Sequence, residues 1–168
     1  MNIKITILRT ILIILLLSNL WIIFGFSNQD GEQSGSLSRE ITEIITKNIK
    51  SLQELEEPQK EKILSKIEHI IRKLAHFSLY TSLGFLTMSL ITTYKLTEKQ
   101  RIILSLCIGL TYAITDEIHQ IFIPDRTPKI GDVLIDTSGV IFGILIVILG
   151  IKIYQKLHNK KAENCTTN

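Results

Sequence analysis

Arg72, His76 and Tyr80 recur at four-residue intervals, so a helix would place them on one face. Asp132 and Asp136 repeat that interval, and so do Asp116 and Gln120; Glu117 and His119 lie between the latter pair, and Arg126 and Lys129 lie in the stretch that follows. Three chemistries use such a set. A histidine oriented by a carboxylate serves as a general acid or base, which makes His76, His119, Asp116, Glu117 and Asp136 the candidate catalytic residues of a hydrolase or transferase. The same imidazoles and carboxylates are potential ligands for a divalent metal, but no HExxH-type motif marks a site, and neither a metal nor another cofactor is expected. Arginine and lysine hold phosphate groups, so Arg72, Lys73 and Arg126, accompanied by Tyr80, Gln120, Asp132 and Gln29, form the candidate ligand-binding set. A plainer alternative is that these groups pair with one another to keep helices in register.

The segments that must position these residues are strongly apolar. Across 168 residues the composition is 45% hydrophobic and 21% charged, with a net charge of +3 and a mean hydropathy of +0.27. Those bulk values exclude a disordered, collagen-like or extremely basic nucleic-acid-binding chain. The charges, however, avoid four runs: residues 10–26, 74–94, 102–123 and 133–151, the third interrupted only by Asp116 and Glu117 and the fourth only by Asp136. Each run can cross a ~30 Å hydrocarbon core as a helix, the only open-ended structure that satisfies its own backbone amides in lipid. The first run exceeds a typical signal-peptide core of roughly 7–15 residues and has no small-x-small cleavage pattern, so it is expected to remain as a helix. At this length the chain is expected to be one all-α domain over residues 1–168, a four-helix transmembrane bundle.

Lys/Arg bias gives its orientation. Lys4 and Arg9 precede the first run; Lys95, Lys99 and Arg101 fill the second connection; Lys152, Lys156, Lys160 and Lys161 follow the fourth run. Three segments on one side place both termini in the cytoplasm. The polar residues then fall in the outer half of the bundle, where they would surround a pocket open to the outer surface; Arg72 and Lys73 run against the charge rule and are explained if they clamp an anion.

Between the first two runs, Leu37, Ile41, Ile44, Ile45, Ile49 and Leu52 form one apolar stripe, and Ile63, Ile67, Ile70, Ile71 and Leu74 form a second, with Pro58 ending the first element. Over residues 36–71 these predict amphipathic helices on the outer leaflet or capping the bundle. Gly139 and Gly143 form a GxxxG that suits close helix packing. Cys107 and Cys165 suggest neither a disulfide framework nor a metal site, and His69 and His158, in charged segments, receive no role.

The order of these motifs resembles the VanZ-like family of bacterial membrane proteins. The similarity covers about residues 24–143: Phe26-Ser27-Asn28-Gln29 with Ser34 and Ser38, then Ile71-Arg72-Lys73-Leu74-Ala75-His76-Phe77, Tyr80 and Gly84, then Asp116-Glu117-Ile118-His119-Gln120, Pro124, Arg126, Asp132, Asp136 and Gly139. Leu79 stands where many members carry an acidic residue, and Asp125 where many carry a small one. The resemblance implies a multi-pass protein of the bacterial cytoplasmic membrane, associated through the family's namesake with teicoplanin resistance. With the pocket, it leads to three expectations. The first is binding of a membrane lipid, a lipid-linked wall precursor or a lipoglycopeptide, with no nucleic-acid partner. The second is an enzyme acting on a lipid-linked envelope substrate through a histidine and a carboxylate. The third is a structural or partner-binding membrane protein without chemistry.

Overall fold

The computed structural model describes all residues but 1, 2, 30, 48, 50–54, 125, 127, 167 and 168; side chains are described for these same residues apart from 31–35 and 160–166. Leu52, Asp125 and the side chains of Ser34, Lys160, Lys161 and Cys165 therefore lie outside the described residues. The chain is all-α. Its helices are α1 (Ile3–Ser27), α2 (Gly31–Thr46), α3 (Glu57–Thr92), α4 (Glu98–Gln120) and α5 (Ile130–Thr166). All but α2 are long and apolar enough to cross a membrane.

Local signals account for the boundaries. Pro58, which the sequence places at the end of the first amphipathic element, instead opens α3: α2 stops at Thr46, and Pro58 occupies the first turn after the extended Glu56. A proline costs nothing there, because its missing N–H would have no helical partner anyway. Helix α4 starts with a capping box, in which the Thr97 N–H donates to Gln100 Oε1 at 3.0 Å and the Gln100 N–H donates to Thr97 Oγ1 at 3.3 Å. At ~1.5 Å per residue, the 36 residues of α3 span about 54 Å, well beyond a ~30 Å core. Its first turns, before the charge-free run from Leu74, therefore project out of the bundle, and α2 packs along them. Arg39 ties the two together, 3.4 Å from Glu61 and 4.0 Å from Glu68. Helix α2 turns Ser38, Thr42 and Thr46 inward and leaves Leu37, Ile41, Ile44 and Ile45 exposed.

The opposite end is fastened by Arg9. Its Nε donates to Thr93 Oγ1 at 2.9 Å, its Nη2 donates to the Thr93 carbonyl at 2.6 Å, and its guanidinium lies 4.0 Å from the centre of the Tyr94 ring. This joins the start of α1 to the α3–α4 turn. Midway along the bundle, the Tyr112 hydroxyl donates to the Leu20 carbonyl at 2.7 Å, linking α4 to α1.

Ile23, Tyr80, Leu83, Met88, Ala113, Val140 and Ile144 form the core, while large apolar residues such as Trp21 and Phe122, 75% and 78% exposed, cover the outside. That inversion suits lipid, where burying apolar surface between helices brings no gain and association depends on close packing. Helices α3 and α5 supply it. A Cβ on Gly84 would strike the Val140 carbonyl, one on Gly143 the Thr81 carbonyl, and one on Gly139 would lie 2.6 Å from the Phe77 carbonyl oxygen. The backbones touch because no side chain intervenes. Gly143→Val should therefore destabilise the detergent-solubilised protein by about 1–3 kcal/mol in a denaturant titration. Gly150→Ala, where an added methyl meets nothing within 4 Å, should leave stability unchanged or slightly raised.

Candidate functional site

At the end of the bundle opposite Arg9, four segments converge on a cavity of about 390 Å³. Helix α3 brings His69, Arg72, Lys73 and His76; the last turn of α4 brings Gln120; the connecting link brings Arg126 and Lys129; the first turns of α5 bring Asp132, Ile135 and Asp136. The link is held by Glu117, whose carboxylate accepts the Lys129 backbone N–H.

The charges sort by depth. At the rim, Lys73 Nζ lies 3.2 Å from Asp132 Oδ1, both side chains about one-third exposed, so the pair is screened and weak. Deeper, His76 Nδ1 lies 3.7 Å from Oδ1 of Asp136, a residue only 2% exposed. Asp116 completes a cluster in which His76, Asp116 and Asp136 each offer a potential ligand atom within 4.8 Å of the other two. Gln120 Nε2 donates to Asp116 Oδ2 at 3.4 Å.

Arg126 is the cation with the strongest need of a partner. Its Nε and Nη2 are buried without a hydrogen bond among the described residues. Burial first, and then the neighbouring Arg72, press its pKa below the usual guanidinium range, while Asp116, Glu117 and Asp132 oppose the shift. A desolvated guanidinium with unused N–H groups and a second arginine nearby is stabilised by an arriving anion, and most by one with several oxygens.

Arg72, Lys73, His76, Gln120, Arg126, Asp132 and Asp136 line the cavity, and Asp116 joins His76 and Asp136. Gln29 lines a separate cleft of about 80 Å³, which shares Arg72 and His76 with the main cavity. Tyr80 is absent from the lining; it is fully buried, with its ring 6.3 Å from that of Tyr112. The reason is helical drift, since each four-residue step at ~100° per residue rotates a side chain by about 40°, and two steps carry Tyr80 off the Arg72 face. His119 also lies away from the cavity, its ring 5.1 Å from Phe24 and its Nε2 3.3 Å from Asn28 Oδ1. Glu117 positions the link through its contact with Lys129. His69, given no role from the sequence, lines the cavity, with its Nδ1 3.1 Å from Arg72 Nη2. The signal for it was its spacing, three residues before Arg72 and seven before His76, which is one helical face.

The VanZ/LLP1 family model matches residues 12–151, and the chain belongs to that family. No curated protein and no solved structure matches it.

The role of Glu117 is open to direct measurement. Glu117→Ala should expose the Lys129 amide and speed hydrogen exchange across residues 121–129 by at least about tenfold, the range expected for losing a hydrogen bond to a charged acceptor. Glu117→Gln, which keeps an acceptor oxygen, should show a smaller change.

Proposed function

We propose that this VanZ/LLP1-family membrane protein binds an amphipathic ligand bearing a phosphate or a lipid tail at the outer face of the bacterial cytoplasmic membrane, and so lowers susceptibility to teicoplanin-type glycopeptides. The observation that carries this reading is Arg126, whose Nε and Nη2 are buried without a hydrogen bond among the described residues, in an open cavity that Arg72 also lines at one end of an apolar bundle. Anionic headgroups sit at that depth in a bilayer, and their oxygens complement a pair of guanidinium forks. Lys73 and Lys129 add positive charge at the mouth, while the lipid-facing surfaces beside it accommodate an acyl chain. The Lys/Arg bias of the N-terminus, the second connection and the tail supports an arrangement with both termini in the cytoplasm and the cavity outside. Lipid-linked wall precursors and lipid-tailed glycopeptides meet on that side.

A second reading is favoured by one specific observation, the 3.7 Å separation of His76 Nδ1 and Asp136 Oδ1 deep in the cavity. A histidine oriented by a carboxylate next to bound phosphate is suited to acid/base catalysis, which would make the protein a hydrolase or transferase on a lipid-linked envelope substrate. Lipids co-purified with the protein separate the alternatives. Under the binding reading, mass spectrometry finds a phosphate-bearing lipid enriched on the wild-type protein and reduced at least about tenfold on Arg72→Ala or Arg126→Ala, as expected for losing a charge-assisted contact. Expression then raises resistance to a lipid-tailed glycopeptide more than to an untailed one. Equal effects on the two antibiotics, or a lipid profile unchanged by the substitutions, overturn it. Turnover of a lipid extract by the wild-type protein, abolished in His76→Ala, would establish the catalytic reading instead.

A further inference from the structure

We propose that His76, Asp116 and Asp136 bind a divalent transition-metal ion, of the zinc or manganese type, at the base of the cavity. Three different helices supply the ligands: α3 brings His76, α4 brings Asp116 and α5 brings Asp136. Their potential ligand atoms lie within 4.8 Å of one another. Ligands around a tetrahedral ion at ~2.0–2.2 Å are roughly 3.3 Å apart, so the His76–Asp136 separation of 3.7 Å is already close and modest side-chain rotations complete the set.

An independent observation points to a missing positive partner. Asp136 is 2% exposed, and its Oδ1 has no hydrogen bond among the described residues. Asp116, also buried, receives one long hydrogen bond from Gln120 and lies against the Tyr80 hydroxyl. Neither carboxylate forms a salt bridge with a lysine or arginine among the described residues; Lys73 is engaged by Asp132. Two buried carboxylates converging on one point repel each other, and burying such charges without a counterion is costly. A divalent ion removes both penalties.

The donor set narrows the choice of metal. One imidazole nitrogen with two carboxylates suits zinc or manganese, whereas calcium and magnesium prefer all-oxygen cages. Three protein ligands leave at least one position open, and the cavity that His76 and Asp136 line is lined by Arg72 and Arg126 as well. That is where the oxygen of an anionic ligand would enter, a consequence that rests on the binding reading above; the ion itself does not.

The test uses the full chain in detergent, stripped with a chelator and titrated with Zn²⁺ or Mn²⁺ alone, with bound metal counted by elemental analysis after dialysis. The wild-type protein should retain one ion per chain and melt at a higher temperature with the ion than without it. His76→Ala, Asp116→Asn and Asp136→Asn should each weaken retention at least about tenfold, a loss no smaller than that seen for removing groups that merely orient a ligand. His119→Ala and Arg72→Ala should retain the ion. Because Asp136→Asn keeps the size and shape of the side chain, the metal-free variant should melt no lower than the metal-free wild type, so its loss of metal does not reflect misfolding. Failure of the wild-type protein to retain stoichiometric metal, or full retention by Asp136→Asn, overturns the proposal. Since the readout is metal retention and not lipid, either result leaves the ligand-binding reading to its own test.

Discussion

Direct backbone contact between α3 and α5 underlies the site as well as the fold. Gly139 lies against the Phe77 carbonyl and Tyr80, and Gly143 against Thr81 and Phe85. Phe77 directly follows His76, and Gly139 is one helical turn after Asp136. The contact that allows the helices to touch therefore also sets the 3.7 Å approach of the imidazole to the carboxylate. Were the helices separated by ordinary side chains, at the usual ~8–10 Å between axes or more, His76 and Asp136 would face a wider gap and the cavity would lose its floor.

Above that floor the cavity brings both signs of charge into a small volume. Lys73 and Asp132 form a partly exposed ion pair at the rim. The deeper groups are left incomplete among the described residues: Arg126 has donors without acceptors, and Asp136 has an acceptor without a donor. Incomplete groups of opposite sign that do not pair with each other, held apart by rigid helices, suit a ligand and an ion better than they suit a structural ion-pair network. A network that served only to keep the helices in register would be expected to close its own hydrogen bonds.

Much of this was legible in the sequence. Charge-free runs define four spans because lipid tolerates little else, and polar residues at the ends of three of them, with the Arg126–Lys129 link, identify one end of the bundle as the site. What the sequence obscured has physical causes. The face shared by Arg72 and His76 drifts by Tyr80, which drops into the core, while the same face extended backwards brings in His69. His119 is adjacent in sequence to Glu117 and Gln120 but turned toward α1, where Phe24 and Asn28 hold it. Pro58 reads as a stop or a start depending on where the preceding helix ends, and α2 ends well before it. His76, Asp116 and Asp136 follow no spacing rule, since each comes from a different helix and only the packing of α3, α4 and α5 brings them together.

Binding of an outer-leaflet ligand requires the cavity to open to the outside of the cell. In a chain lacking Cys107 and Cys165, a single cysteine at Lys129, on the cavity lining, can be compared with one at Lys156, beyond the fourth apolar run. With a membrane-impermeant thiol reagent on intact cells, the account predicts labelling of Lys129→Cys, and labelling of Lys156→Cys only after the membrane is permeabilised. The reverse pattern would contradict it.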